Sequence, residues 1–271
     1  MGVNRRAIVL CGAAALSANK SFPPALSQTN QRVSQKELDE AIRLHALWLE
    51  NINIGQRCTF SGRDLRGLKF GNVAGRPVNL SGADFSQTNL SQTEADDILV
   101  HYCNFNGAIF DACRWRQPVF AHADMRRISA KASELGWPAI GATPRADFSY
   151  TALNDSDLYN ARILGCFYGA RFGGASLVRS DFSGSEFSGP SCHEMSFAGA
   201  QLIEARFCDC RISSASFFNA ECRMADFSRT TFSNVKMKGC NLTGAIFRGA
   251  EFRRTEFASN QLIEADFCGS F

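Results

Sequence analysis

Net charge is almost absent from this chain: 29 Lys and Arg stand against 26 Asp and Glu, a balance of +3 in 271 residues. So weak a field does not imply a nucleic-acid partner or an acidic substrate. Histidine is scarce at four copies and proline at seven. No apolar run approaches the roughly 20 residues of a membrane-spanning helix, and no glycine-rich phosphate-binding loop is present. The few His sit beside Cys or carboxylates without forming a site. Cys192 and His193 are adjacent in sequence, so on an extended chain one points in and the other out, and the repeat described below sets Cys208 outward and Cys210 inward, so this Cys-x-Cys does not easily share one ion. His101 with Cys103 and His193 with Glu194 therefore do not make a metal site. His122 near Asp124 has no nucleophile at a recognisable spacing. The expectation is no enzyme, no metal and no cofactor.

What the chain has instead is a beat of five. From Gly165 to Gly269 a bulky residue recurs every fifth position, 21 times in succession, 13 of them Phe. The series starts Phe167, Phe172, Leu177, Phe182, Phe187 and ends Phe252, Phe257, Leu262, Phe267. Two residues before most of these sits a small one, such as Ala170, Ala200, Ala225 or Cys240. Period five is neither helical nor strand-like. A small and a bulky residue two apart share one face of an extended piece. To keep the next pair inside, the chain must turn once per step, and the intervening Gly and polar residues suit turns. Four right-angle turns close a square of 20 residues. Every twentieth residue from Phe167 is again Phe, through Phe267. Gln201–Ala205 repeats as Gln261–Ala265, three such circuits later. The expected fold is an all-β solenoid, a right-handed quadrilateral β-helix of about ten coils, roughly 45–50 Å long.

The pattern in Ala83-Asp84-Phe85-Ser86, Ala146-Asp147-Phe148-Ser149, Ala225-Asp226-Phe227-Ser228 and Cys240-Asn241-Leu242-Thr243-Gly244 resembles the pentapeptide-repeat family. His45-Ala46-Leu47-Trp48-Leu49, followed by Gly55-Gln56-Arg57, resembles a leader seen in many bacterial members. The resemblance implies a solenoid and, in one precedent, mimicry of duplex DNA to bind a type II topoisomerase, DNA gyrase.

Along the chain, residues 1–33 read as a signal-like segment and linker. Arg5-Arg6 followed by Ala7 to Ala18 predicts export to the periplasm; a cytoplasmic location is the alternative, favoured by unpaired thiols. Residues 34–57 read as a capping helix and lead-in, opened by the capping box Ser34-Gln35-Lys36-Glu37 and running to about Glu50. Residues 58–125 form a first repeat run in which Gly75 and Ala95 fall on core positions. Residues 126–146 read as a loop insertion holding Trp137, with one or two helical turns over Ile128–Leu135. Residues 147–271 form the second run, with one residue lost near Gly165. Of the eleven Cys, Cys58, Cys103, Cys113, Cys210 and Cys240 take small inward slots and Cys192 and Cys222 bulky ones, where each acts as a small hydrophobe. No core pair shares a face at 20-residue spacing, so no disulfide framework is expected.

Sorted by side, the second run carries its largest imbalance on the side of Leu202 and Leu262, where Asp181, Glu204, Glu221 and Glu264 face Arg223. That is too thin for a DNA mimic. Ile203, Met224 and Ile263 lie outward on the same side, so Ile203, Glu204, Glu221, Met224, Ile263 and Glu264, with Trp137, are the candidate protein contacts. The repeats run to Phe267 without a closing helix, which predicts that this open coil pairs with a second copy or a protein partner. The expected function is a non-enzymatic interaction or scaffold module, with gyrase binding as the alternative and neither nucleic acid nor small molecule as a partner.

Overall fold

A five-residue step with two inward side chains leaves three residues to turn the chain. Among the described residues the one two past most bulky positions adopts the left-handed region, at φ 57° for Glu204, 56° for Met224 and 67° for Gly244. The next small residue closes most corners by donating to the bulky residue's carbonyl, as Ala205 N does to Leu202 O at 3.1 Å. The Asp or Asn before the bulky residue closes the same corner from outside. Its Oδ1 accepts from the amide two residues on, at 3.0 Å for Asp84 and Ser86 and 2.9 Å for Asp226 and Ser228. A left-handed corner costs a non-glycine residue about 1–2 kcal/mol. Hydrogen bonds between coils offset this, among them Phe187 N to Arg206 O at 2.6 Å and Phe227 N to Ile246 O at 2.7 Å.

A computed structural model of the chain describes residues 31–71, 77–136, 146–187, 189 and 191–271. The signal-like residues 1–30, residues 72–76 and Trp137 lie outside them. Helix α1 (Gln35–Glu50) is followed by short strands. These are β1 (Lys69–Phe70), β2 (Glu94–Asp96), β3 (Arg114–Arg116), β4 (Glu134–Leu135), β5 (Ala146–Asp147), β6 (Arg162–Ile163) and β7 (Gly165–Cys166). Then come β8 (Ser191–His193), β9 (Arg211–Ser213), β10 (Thr231–Ser233), β11 (Lys236–Lys238), β12 (Glu251–Arg253) and β13 (Glu256–Ala258). All pairings are parallel and divide among four sides. β5 and β7 lie on the first side, with the Phe167 column. β8, β9, β10 and β12 lie on the second, β11 and β13 on the third, and β1, β2, β3, β4 and β6 on the fourth, which continues up to Leu202 and Leu262.

The result is a parallel β-solenoid of about eight regular turns, fewer than the ten even coils expected. Two circuits carry extra residues, since Thr59 pairs with Asp84 and Asp124 with Ala152, where regular steps pair Asp84 with Asn104 and Asn104 with Asp124. Asp147 pairs with Cys166, which locates the lost residue just before the Phe167 column. A second correction concerns residues 126–136. They are neither insertion nor helix but continue the coil, with Ile128, Ala130, Ser133 and Leu135 buried and β4 paired to β3. Their apolar spacing fits a helix, but the hydrogen bonds of the coil below, such as Ser129 N to Ala108 O at 3.1 Å, hold them extended. The first run thus reaches Gly136.

Inside, the Phe column stacks as the 20-residue closure requires. Ring centroids from Phe167 to Phe187, Phe207, Phe227, Phe247 and Phe267 step by 4.8, 4.5, 5.0, 5.0 and 4.7 Å. Stacked pairs of this kind add to area burial. In the rougher first run Ala95 makes room for Trp115 one coil above, whose Nε1 donates to Thr93 Oγ1 at 3.0 Å. The inward cysteines do more than fill space. Cys103 Sγ donates to Leu80 O at 3.0 Å and Cys240 Sγ to Phe217 O at 2.8 Å, the bond that Thr88 Oγ1 makes to Phe60 O at 2.7 Å. Burial pushes the Cys58 and Cys192 thiols up to about 12, so they stay protonated.

Helix α1 covers the first coil. Ser34 Oγ accepts from Glu37 N at 3.2 Å, the first half of the capping box, while the Glu37 carboxylate pairs with Arg63 at 3.0 Å. The Gln35 amide completes the edge of β1, giving to Lys69 O at 2.8 Å and taking from Lys69 N at 3.0 Å. His45 is fully buried. Its Nδ1 accepts from Cys58 N at 2.9 Å, so Nε2 carries the proton and donates to Ser81 O at 3.2 Å. Burial lowers its pKa to about 4. Gly55 passes so close to the helix that a Cβ would lie 2.1 Å from Trp48 N and 2.3 Å from Leu44 O.

Candidate interaction surface

The fourth side runs the length of the solenoid, and the ladder fixes which outward side chains share a column. In its lower half the column before the bulky residue reads Lys69, Glu94, Arg114, Glu134, Arg162. These signs alternate from coil to coil and the charges close on each other: Lys69–Glu94 at 2.8 Å, Arg114–Glu134 at 3.6 Å and Arg162–Glu134 at 3.5 Å. Arg116 grips Asp96 with two bonds of 2.6 Å. The hydrogen bond from Lys69 holds the Glu94 carboxyl below its ordinary pKa.

The upper half of the same column continues as Asp181, Gln201, Glu221, Asn241, Gln261, and the alternation stops. Beside it run Ser183, Ile203, Arg223, Thr243, Ile263, and at the corner Gly184, Glu204, Met224, Gly244, Glu264. The ladder therefore brings Ile203, Glu204, Glu221, Met224, Ile263 and Glu264 together on one surface. Met224 is 61% exposed and Ile263 66%, while Ile203 is half-buried. The ion pair here, Arg223–Glu221 at 3.6 Å, lies within one coil. Among the described residues Glu204 and Glu264 have no ion pair. The Met224 side chain lies over Gly244, where a Cβ would sit 3.4 Å from Met224 Cγ. Ser183 Oγ, one coil below Ile203, is buried without a hydrogen-bond partner.

The remaining sequence candidates diverge. Cys192 is buried and His193 exposed, with His193 Nδ1 2.8 Å from Ser213 Oγ. A cavity of about 310 Å³ lies between α1 and the first coil, lined by Glu37, Glu40, Leu44, Arg57, Phe60 and Arg63. It brings no activated nucleophile to a base, since its Cys58 thiol is the one burial holds protonated. At the other end, the last coil leaves Leu262 43% and Phe271 74% exposed. Among the described residues no helix is long and apolar enough to cross a membrane.

The family model for pentapeptide repeats matches in eight copies, over residues 56–92, 166–197, 196–234 and 236–271. The chain belongs to the pentapeptide-repeat family. Its fold is similar to that of HetL, a pentapeptide repeat protein involved in heterocyst differentiation regulation from the cyanobacterium Nostoc sp. strain PCC 7120. That likeness has a TM-score of 0.70 at 19% identity and covers 82% of this chain and 94% of HetL. QnrB1, a plasmid-mediated fluoroquinolone resistance protein, is 19% identical over 74% of this chain and 85% of its own, with a TM-score of 0.34. A pentapeptide repeat protein of the Arabidopsis thaliana thylakoid lumen is 22% identical over 35% of this chain and 63% of its own, with a TM-score of 0.29. No curated relative matches the chain. At these identities the likeness to HetL carries the fold and nothing further.

Proposed function

We propose that this pentapeptide-repeat protein is a non-enzymatic interaction or scaffold module that engages a protein partner through the upper half of its fourth side. The observation that supports this is Met224 and Ile263 held outward beside unpaired Glu204 and Glu264, on a rod whose other half pairs its charges internally. An apolar stripe between carboxylates fits a protein surface with apolar and basic groups. The exposed Leu262 and Phe271 of the last coil offer a second contact, to a partner or another copy. The test is affinity capture with the intact chain, comparing wild type with Met224→Lys and Ile263→Lys. One partner held by wild type and lost from both variants supports the reading; a partner retained by both refutes it.

DNA mimicry of a gyrase ligand would need a continuous acidic side, and four carboxylates against Arg223 over five coils do not supply one. A gyrase supercoiling assay separates the two readings. We place the protein in the periplasm on the strength of its basic start and apolar run. Sequencing the mature N-terminus tests that point, since a start at Asn19 or Gln28 excludes a cytosolic target.

A further inference from the structure

The lower half of the first side carries a second surface of different chemistry. Tyr102, His122 and Tyr150 occupy the same corner on successive coils, so their rings stack along the axis. Centroids are 4.8 and 4.9 Å apart, with planes within 2° and 7° of parallel. Tyr168 meets Tyr150 edge-on at 5.4 Å. The top of the stack rests on Gly169, where a Cβ would come within 2.8 Å of the Tyr150 ring. Because each ring face is covered by the next ring, the ladder presents edges and polar tips. Tyr102, Tyr150 and Tyr168 remain 47%, 48% and 50% exposed. Around them lie half-buried Leu99 and Val119 and the small Ala121 and Ser149. His101, which burial keeps toward its neutral form, and Asp147 complete the strip. Higher on the same side the surface is charged and internally paired, as in Arg229–Asp209 at 2.7 Å and Arg206–Glu186 at 3.5 Å.

We infer that this strip docks a second copy of the chain, antiparallel, about a two-fold axis that crosses the solenoid at His122. A two-fold contact must be self-complementary, with residue i meeting j and j meeting i. Tyr–His–Tyr at equal steps reads the same in both directions. The axis therefore sets Tyr102 against the partner subunit's Tyr150 and His122 against its own counterpart. In the adjacent column it sets His101 against the partner subunit's Ser149, an imidazole and a hydroxyl that can share a hydrogen bond. The strip's single carboxylate, Asp147, falls opposite Leu99 at the rim, so no charge is buried at the centre. Four coils make a strip roughly 19 Å long and about 10 Å wide, so its area of roughly 200 Å² falls well below the roughly 800 Å² per partner of a stable interface. The association is accordingly weak and reversible. It uses neither the fourth side nor the last coil, so a dimer could still present two fourth sides to partners.

The test is sedimentation of the purified intact chain, taken to concentrations on the order of 1 mM, where weak complexes populate. Wild type is expected to move toward dimer. Tyr102→Lys should weaken this at least tenfold, and so should Tyr150→Lys. The double variant Tyr102→Lys/Tyr150→Glu should recover most of the affinity, because the axis brings those two positions together between copies. Far-UV circular dichroism verifies that each variant keeps the solenoid, and recovery in the double variant is itself evidence of folding. A wild type that stays monomeric overturns the inference. So does a Tyr102→Lys chain that dimerises as well as wild type, which is also what pairing through the last coil would give. A double variant no better than the single ones overturns it as well.

Discussion

The fourth side of the solenoid is built from one five-residue step throughout, yet its two halves treat charge differently. From Lys69 to Arg162 every outward charge of the column meets its opposite one coil away. From Asp181 to Gln261 the alternation lapses, and Met224 and Ile263 stand out in water. The fold requires neither arrangement, because the coil is held by its inward residues and backbone ladder in both halves. What differs is where the surface finds its partners: within the chain below, outside it above.

The largest expected effect breaks the lower half alone. Gly55→Ala puts a methyl against Trp48 N and Leu44 O, so α1 must leave the coil and uncover the edge of β1. We expect a loss of about 3 kcal/mol or more, the upper end for overpacking, read by denaturant unfolding. Hydrogen exchange should accelerate in residues 58–125 before the coils above 165, because each coil is supported by its neighbours.

Acid should separate the halves in the same direction. His45 is neutral in the fold with its pKa lowered to about 4, whereas the unfolded chain takes up a proton near the ordinary histidine value of 6.5. Its contribution is therefore intact above pH 6.5 and lost as pH falls toward 4, amounting to about 3 kcal/mol for the cap. The measurement is exchange in α1 and the first coils across that window. Equal loosening of the upper coils, whose His193 is exposed, would contradict the assignment.

A smaller effect sharpens the comparison. Met224→Asn relieves a left-handed corner and should raise stability by about 0.5–1 kcal/mol, while weakening partner binding roughly tenfold. Opposite signs from one substitution separate a contact residue from a structural one. The smallest effect lies in the lower ladder. Glu94→Gln should shift the melting temperature by about 1 °C or less, with the difference vanishing in high salt, and should leave partner binding unchanged.

The core of the solenoid is legible in the chain itself. Period five, the unbroken Phe column and the box at Ser34 specify coil, circuit and cap, because inward residues answer to geometry alone. Residues 126–136 read as a helix from sequence because Ile128 and Leu135 satisfy a helix pattern as well as a coil, and only the hydrogen bonds of the coil below decide between them. The thiol donors at Cys103 and Cys240 were seen as size without their bonds, since the acceptor lies one coil down. The Tyr102–His122–Tyr150 ladder was invisible because the chain between His122 and Tyr150 includes residues 137–145. That interval is 28 residues where the regular circuit is 20, so the five-residue step alone does not tell which residues stack.

The most direct measurement places a photo-cross-linking amino acid at position 263 in one variant and at position 94 in another, and irradiates cells expressing each at equal levels. The account predicts a discrete protein adduct from 263 and none from 94. Adducts from 94 alone, the same adducts from both, or none from 263 would contradict the claim that the upper half of the fourth side is the one that meets a partner.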